Sequence, residues 1–182
     1  MLFYGDKLLG GPECGIIVGR KVLIEKIARH PMQNGLQVGK LTLAALTATL
    51  RLYRDPEKAC LTIPLLQLLS TSLENLKNRA ERLTPQAAAI PVIAEAKAVA
   101  GESSLISRAM PNRQLPTWCV SLRPATMSVD QLAVALQSGM PSVVGRVHQD
   151  CFLFDLRSVL PYQDTQLLTA LESLGQSSDR TS

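Results

Sequence analysis

The stretch that decides the fold runs from Gly5 to Gly19 and reads Gly-Asp-Lys-Leu-Leu-Gly-Gly-Pro-Glu-Cys-Gly-Ile-Ile-Val-Gly. Residues 2–4 before the lysine predict the end of a strand, and residues 15–19 predict a short buried strand closed by glycine. Lys7 therefore lies at the mouth of a strand, beside a turn in which two adjacent glycines allow close backbone approach to a ligand or to a neighbouring chain. The pattern predicts a strand–turn–strand unit that presents this lysine.

The composition bounds the class of protein. The chain has 182 residues, 46% of them hydrophobic, which suffices for one domain with a core, or for a small domain and part of another. Aromatic residues make up only 4%, so aliphatic side chains must fill the core. Because no run of 18 apolar residues and no leader-like pattern occurs, we expect neither a transmembrane helix nor a signal peptide.

The charge distribution argues against a nucleic-acid-binding surface, and the cysteine spacing argues against a metal site. The net charge of +4 permits contact with nucleic acid, but the basic residues are dispersed along the chain, which favours ordinary solvated surface. The four cysteines form no CxxC pair and do not combine with the two histidines into a metal-ligand pattern. We therefore expect reduced thiols in a cytoplasmic protein without a metal site.

Hydrophobic periodicity predicts mixed α/β structure along the rest of the chain. The apolar spacing predicts helices at 20–29, 41–54, 63–83, 128–138 and 162–174. Strands are predicted at 90–99 and 117–122, with a hairpin of 142–147 and 151–156 around His148–Asp150. Ser128 is the predicted N-cap of its helix, residues 31–40 are predicted to form a loop, and residues 176–182 are predicted to be a disordered tail.

Lys7 is the candidate for covalent chemistry. A lysine that attaches a carbonyl cofactor must form an imine, yet a free lysine is protonated, with a reference pKa near 10.4. Its surroundings must therefore make the amine available. A lysine beside two glycines is a weak signal by itself, because a surface lysine next to a turn shows the same local pattern.

The longer sequence around Lys7 is more specific than the lysine and the two glycines alone. From Phe3 through Tyr53 the chain closely resembles the bacterial selenocysteine synthase family, the L-seryl-tRNA(Sec) selenium transferases. The resemblance is carried by four segments in the family's order and spacing, namely Gly5–Pro12, Gly15–Gly19, His30–Pro31 and Lys40–Tyr53. Weaker similarity continues through Leu115–Trp118 and Val144–Val147 to the end of the chain. The resemblance covers the whole chain, but the chain covers less than half of the family's length.

The resemblance implies a fold and a domain organisation. It implies the C-terminal portion of a fold-type I pyridoxal-phosphate-dependent transferase, an α/β fold. Residues 1–62 would end the cofactor-binding large domain, residues 63–83 would form a bridging helix, and residues 84–175 would form the small C-terminal α/β domain. The first of these segments is expected to expose apolar surface where the rest of the large domain belongs.

The resemblance also implies an activity. The family converts serine esterified to tRNA(Sec) into selenocysteine, with selenophosphate as the selenium donor and pyridoxal 5'-phosphate as the cofactor. Lys7 matches the lysine that holds the cofactor, and Asp6 matches an aspartate of the family's active site. The implied partners are seryl-tRNA(Sec), selenophosphate and further copies of the chain, since the family assembles as a ring of dimers.

One departure from the family leaves alternatives open. Two arginines of the family, three residues apart, bind the selenophosphate anion, and the matching positions here are Asn34 and Gln37; a family aspartate is likewise replaced by Gly39. Neutral amides cannot supply the bidentate, charge-assisted contacts that suit phosphate. The alternatives are an inactive fragment, a subunit that complements a separately encoded front half, or a related lyase that acts on another substrate.

Overall fold

The fold is given by a computed structural model, which describes residues 1–104 and 114–178. The chain divides into two compact units, Met1–Ser70 and Thr71–Ser182. Among the described helices, none is both long and apolar enough to cross a membrane.

The first unit is a small antiparallel ribbon followed by helices. Strands β1 (Leu2–Tyr4) and β2 (Gly15–Ile17) pair in antiparallel register, with Leu2 opposite Ile17. Five helices follow, α1 (Lys21–Ala28), α2 (Gln33–Leu36), α3 (Lys40–Leu52), α4 (Pro56–Thr62) and α5 (Pro64–Ser70). The predicted strands and the predicted helices at 20–29 and 41–54 are therefore confirmed, within a few residues at their ends. The predicted burial of the strand at 15–19 is wrong, because β2 pairs only with β1 in a two-stranded sheet and Ile17 is 50% exposed.

Two further predictions for this part of the chain are wrong. The stretch 31–40 is not all loop, because backbone hydrogen bonds from Leu36 to Met32 and from Gln37 to Gln33 close the single turn of α2. The helix predicted at 63–83 is two helices, α5 and α6 (Leu73–Ala88). The reason is Ser72, whose extended backbone breaks the helix and whose hydroxyl accepts the Asn75 N–H at 3.2 Å, so that α6 begins with its own N-cap.

The second unit is a four-stranded antiparallel sheet with helices on one face. Its elements after α6 are β3 (Ile93–Ser104), β4 (Gln114–Pro124), α7 (Val129–Ser138), β5 (Arg146–His148), β6 (Cys151–Asp155) and α8 (Asp164–Ser178). The strand order is β3-β4-β6-β5. Alternate residues of β4 and β6, including Leu122 and Phe152, join Leu76, Leu132 and Leu171 of the helices in one buried core. The strand residues between them point to the opposite face.

The predicted helix cap and the predicted hairpin turn of this unit are both present. Ser128 caps α7 and forms a capping box with Gln131, as the prediction of this N-cap requires. The β5–β6 hairpin is confirmed, and it turns at Gln149 and Asp150, which have φ angles of 48° and 58°. Two consecutive positive φ angles match the right-handed twist of the strands that a two-residue hairpin joins.

A buried ion pair fixes the start of α8 to α6. The Arg79 guanidinium donates to both oxygens of Asp164, at 3.2 Å from Nε and 2.5 Å from Nη2, and it also donates to the carbonyls of Leu156 and Val159. Arg82 donates to Asp164 from the surface at 2.5 Å. Helix α8 continues to Ser178, past the predicted end at 174 and into the predicted tail, of which residues 179–182 lie outside the described part of the chain.

Candidate functional site

The loop that carries Lys7 is closed by backbone hydrogen bonds. The Gly5 N–H donates to the Cys14 carbonyl at 2.9 Å, and the Gly11 N–H donates back to the Gly5 carbonyl at 2.8 Å. Inside this closure, the Gly10 N–H donates to the Lys7 carbonyl at 3.0 Å. Lys7 therefore begins a tight turn whose two ends are tied to the β1–β2 ribbon.

The glycines are required by this geometry. Gly10 has a φ of 64°, and a Cβ added there would lie 2.5 Å from Cγ2 of Ile63. A Cβ on Gly5 would lie 2.5 Å from the Cys14 sulfur. Such distances are below any van der Waals contact, so a larger residue at either position must displace the loop. The turn thus requires glycine at the first and last positions of the string Gly-Asp-Lys-Leu-Leu-Gly.

Tyr53, at the end of α3, holds the same loop from a distant part of the chain. Its hydroxyl donates to the Leu9 carbonyl at 3.0 Å. Tyr53 carries no sequence signal for this role, because 44 residues separate the hydrogen-bond partners and no spacing rule connects them. Burial raises the pKa of the Tyr53 phenol.

Lys7 and Asp6 form an ion pair, with 2.9 Å between Nζ and Oδ2. This hydrogen bond is the main reason that the pKa of Asp6 lies below its ordinary value and that the pKa of Lys7 lies above its own. The Lys7 side chain is 52% exposed, so the amine is accessible to a ligand. The second Asp6 oxygen, Oδ1, is buried and has no hydrogen-bond partner in the described part of the chain.

These features fit the attachment point of a carbonyl cofactor. An accessible amine stands on a rigid turn, and the buried Asp6 Oδ1 leaves an acceptor without a donor, which is costly unless a further group supplies one. Within residues 1–104 and 114–178, no side chain other than Asp6 forms a hydrogen bond or ion pair with Lys7. The described residues therefore fit the lysine end of such a site.

Asn34 and Gln37 lie apart from this pair in the sequence, at the one-turn helix α2. Both are exposed, and the Gln33 side chain donates to the Gln37 amide oxygen at 3.3 Å. No described hydrogen bond or ion pair joins Asn34 or Gln37 to Asp6 or Lys7. The structure thus places the two predicted groups of site residues on separate segments of the first unit.

Gln37 lines a cleft of about 800 Å³ in the first unit. Its lining is mainly apolar, and Lys26 is the charged residue among those that line it. His30 Nδ1 accepts the Met32 N–H at 3.3 Å, which gives the histidine a structural role at the end of α1. Lys26 was not predicted as a site residue, since it reads as one of several solvated basic residues on α1.

Comparison with known proteins identifies relatives along most of the chain. Residues 1–160 match the family described as SelA, L-seryl-tRNA selenium transferase. The chain is 40% identical over 175 residues to the L-seryl-tRNA(Sec) selenium transferase of Nitratidesulfovibrio vulgaris, covering 95% of this chain and 37% of that protein. It is 40% identical over 173 residues to the enzyme of the same name from Moorella thermoacetica, covering 93% and 36%. The chain thus spans little more than a third of the length of these curated relatives.

The fold is shared with a solved structure. The chain is similar to the structure titled D-Glucosaminate-6-phosphate Ammonia-lyase, with a TM-score of 0.64 and 19% identity over 97% of this chain and 43% of that one. At this level of identity the likeness concerns the fold alone. It confirms the predicted α/β fold class.

Proposed function

The chain belongs to the L-seryl-tRNA selenium transferase family, and from this premise we propose that it forms the lysine-bearing part of a pyridoxal 5'-phosphate-dependent transferase. The proposed reaction is the conversion of seryl-tRNA(Sec) into selenocysteinyl-tRNA(Sec), with selenophosphate as the selenium donor, in a cytoplasmic homo-oligomer. The observation that carries the proposal is the constrained Gly5–Gly11 turn, which presents an accessible Lys7 beside Asp6.

The cofactor, when bound, would withdraw electrons from the substrate's α-carbon. The residues of this chain would have separate tasks around it. Lys7 would bind it through Nζ, and Asp6 would orient the amine through the ion pair, which also favours the charged form of the amine. Gly10 and Tyr53 would keep the turn in place, Gly10 by its positive φ and Tyr53 by its bond to the Leu9 carbonyl.

A second candidate, a related lyase that acts on another substrate, is favoured by Asn34 and Gln37. Neutral amides there cannot form the charge-assisted pairs that two arginines form with selenophosphate. The Gln37 amide oxygen is already engaged by Gln33, and Lys26 is the cation among the residues that line the adjoining cleft. A third candidate is a subunit that is inactive until it complements a separate front half.

The cofactor lysine can be tested on the chain itself. Purified protein is incubated with pyridoxal 5'-phosphate, reduced with borohydride, digested and mapped by mass spectrometry. We expect a reduced pyridoxyl adduct on Lys7 that is lost in Lys7→Arg. Lys21→Arg is the matched control, because Lys21 is also exposed and lies near a carboxylate, 3.9 Å from Glu25. Labelling spread evenly over exposed lysines would overturn the assignment of Lys7.

The substrate can be tested in a chimera. This chain replaces its matching segment in the Moorella thermoacetica relative, and selenium transfer to seryl-tRNA(Sec) is measured with selenophosphate. We expect weak transfer that the pair Asn34→Arg and Gln37→Arg restores, because the two arginines return the anion contacts. A chimera that carries the cofactor on Lys7 and stays inactive with both arginines would favour the lyase over the transferase.

A further inference from the structure

We propose that one face of helix α3 positions Lys7, and that Tyr53 on this face holds the lysine against Asp6. Tyr53 acts through the backbone of the turn, by its hydrogen bond to the Leu9 carbonyl, and is therefore a positioning residue. The inference rests on the proposed function and deepens it, because it names what prepares the amine of the proposed cofactor lysine.

Helix α3 has one side that is partly covered. Its residues 42, 46, 49 and 52 and the C-cap Tyr53 are half-buried, and the rest of the helix is exposed. A spacing of three or four residues, as from 42 to 46, 49 and 53, places side chains on one side of a helix. This side is therefore the one that α3 turns towards the rest of the first unit.

The glycines of the Lys7 loop let this side of α3 come close. A Cβ added at Gly5 would lie 3.6 Å from Cδ1 of Leu46. A Cβ added at Gly11 would lie 3.4 Å from both Cγ2 and Oγ1 of Thr49. Leu46 and Thr49 thus stand against the two ends of the loop, and Tyr53, one turn further along the helix, reaches the part between them.

Tyr53 supplies a directional bond from α3 to the loop. Its hydroxyl lies 3.0 Å from the Leu9 carbonyl oxygen and 3.4 Å from the Leu8 carbonyl oxygen, so it engages two adjacent peptide groups. The Thr49 hydroxyl, by contrast, donates to the Ala45 carbonyl of its own helix at 3.1 Å. Because a hydrogen bond fixes direction as well as distance, Tyr53 constrains the loop more closely than the van der Waals contacts do.

The ion pair of Asp6 and Lys7 depends on the conformation of this loop. Adjacent side chains do not face each other on a helix, and they point to opposite faces of a strand. Adjacency brings the two charges near each other, but the contact of 2.9 Å between Nζ and Oδ2 requires the turn. The carbonyls that Tyr53 binds belong to the two residues between Lys7 and Gly10, whose hydrogen bond closes that turn.

The protonation of Lys7 reports on this arrangement. The hydrogen bond to Asp6 is the main reason that the pKa of Lys7 is raised, and the Asp6 charge adds to it. Desolvation lowers the pKa, and the charges of Glu13 and Tyr4 raise it by smaller amounts. Without the Tyr53 bond, the pKa of Lys7 should fall towards its ordinary value, because the contact with Asp6 is weakened. A role of Tyr53 in stability alone would leave this pKa where it is.

The test measures the protonation of Lys7 without any cofactor. The full chain is acetylated with a trace of acetic anhydride at a series of pH values, digested and mapped by mass spectrometry. The pH at which Lys7 reaches half its full reactivity should be lower in Tyr53→Phe than in the parent chain. Tyr162→Phe is the matched control, because it removes the hydroxyl of an exposed tyrosine in the second unit, and it should leave the Lys7 profile unchanged.

The Asp6→Asn background separates positioning from other effects of the substitution. If Tyr53 acts through the ion pair, Tyr53→Phe should shift the Lys7 profile in the parent chain and leave it unchanged in Asp6→Asn, where no pair remains to be weakened. Equal shifts in the two backgrounds, or no shift in either, would overturn the inference.

A second perturbation covers the case in which Tyr53→Phe unfolds the first unit. Cys14 is buried, so its resistance to iodoacetamide shows that the ribbon and its loop remain packed. If Tyr53→Phe exposes Cys14, Gly11→Ala takes its place. The added methyl would press on Thr49 and would lie 3.2 Å from the Gly5 carbonyl oxygen, which moves the loop away from α3. The same downward shift of the Lys7 profile is expected, and an unchanged profile would contradict the inference.

The positioning role and the proposed function can fail separately. The acetylation profile needs no cofactor, so it tests the positioning of Lys7 even if borohydride trapping finds no adduct there. An adduct on Lys7 whose profile Tyr53→Phe does not move would keep the proposed function and reject the positioning role. If both hold, the pH dependence of adduct formation should shift to lower pH together with the acetylation profile.

Discussion

The substitution Asp164→Ala gives the sharpest test of how the second unit is held together. Asp164 lies in the first turn of α8, where its charge also favours the helix N-terminus. Removing it leaves the Arg79 guanidinium buried, with only the Leu156 and Val159 carbonyls as acceptors. The side chains of Arg79 and Asp164 are 7% and 5% exposed, so water cannot replace the lost carboxylate.

The size of the effect follows from this burial. Breaking a buried ion pair by removing one partner costs about 3–5 kcal/mol, because the remaining charge stays desolvated. For a domain of this size such a loss lowers Tm by roughly 12 °C or more. The double variant Arg79→Met with Asp164→Leu removes both charges and should recover much of the loss, since well-packed apolar side chains can replace a buried pair.

The assay is urea unfolding followed by Trp118 fluorescence. Trp118 is the one tryptophan of the chain, it lies on β4, and Lys77 Nζ stands 5.6 Å from its ring centroid. The signal therefore reports on the second unit. Arg82→Gln is the control, because Arg82 contacts Asp164 from the exposed side, where an ion pair contributes about 1 kcal/mol or less. A loss for Asp164→Ala no larger than that for Arg82→Gln would refute the reasoning.

Three further predictions concern the first unit. Asp6→Asn removes the carboxylate that raises the pKa of Lys7, so the Lys7 amine should lose its proton at a lower pH. The borohydride-trapped adduct should therefore form faster at neutral pH. A slower reaction would mean that the main role of Asp6 is to position the lysine. Gly10→Ala imposes a positive φ on alanine and a clash with Ile63, so adduct formation at Lys7 should fall while Trp118-detected unfolding stays unchanged. Because of its exposed apolar side chains, the chain should self-associate in size-exclusion chromatography, and a monomer that is stable to dilution would contradict this.

Local sequence signals predicted the elements whose causes are local. The N-cap at Ser128 and the turn at Gln149–Asp150 depend on a few neighbouring residues, and both occur as predicted. The break between α5 and α6 was missed, because the apolar spacing continues from Leu69 to Leu76 on either side of Ser72. Helix α6 also runs past Pro85, where an end was predicted at 83. The free energy gained by burying Leu83 and Ala87 in the core exceeds the cost of the backbone hydrogen bond that proline cannot donate.

Strand lengths could not be predicted, because they depend on pairing. Strand β3 was predicted at 90–99 and extends from Ile93 to Ser104, and β4 was predicted at 117–122 and extends from Gln114 to Pro124. The two strands extend together, since Ser104 pairs with Gln114 at the far end of their ladder. The polar residues of that end, such as Glu102 and Ser103, give no strand signal by themselves.

In the candidate site, too, contacts between sequence neighbours were predictable and contacts between distant residues were not. Asp6 and Lys7 are neighbours in sequence, and their ion pair is an expected consequence of that adjacency. The closure of the turn by Tyr53 and the cleft beside Gln37 depend on how helices α1 to α3 return to the ribbon. No spacing in the sequence specifies those contacts. The sequence therefore predicts Lys7 and Asp6 as site residues, but not the hydrogen bond from Tyr53 that holds their loop.

The two units differ in how completely the apolar faces of their helices are buried. In the second unit, the apolar faces of α6, α7 and α8 meet the sheet in one buried core. In the first unit, α1 and α3 contain no buried residue, and Leu41 is 88% exposed although α3 is strongly apolar. Helices of 8 and 13 residues derive most of their stability from packing rather than from propensity. The ribbon that presents Lys7 therefore belongs to a unit in which α1 and α3 bury no residue and α4 buries Ala59, so the shape of the Lys7 turn depends on its own backbone hydrogen bonds more than on a packed core.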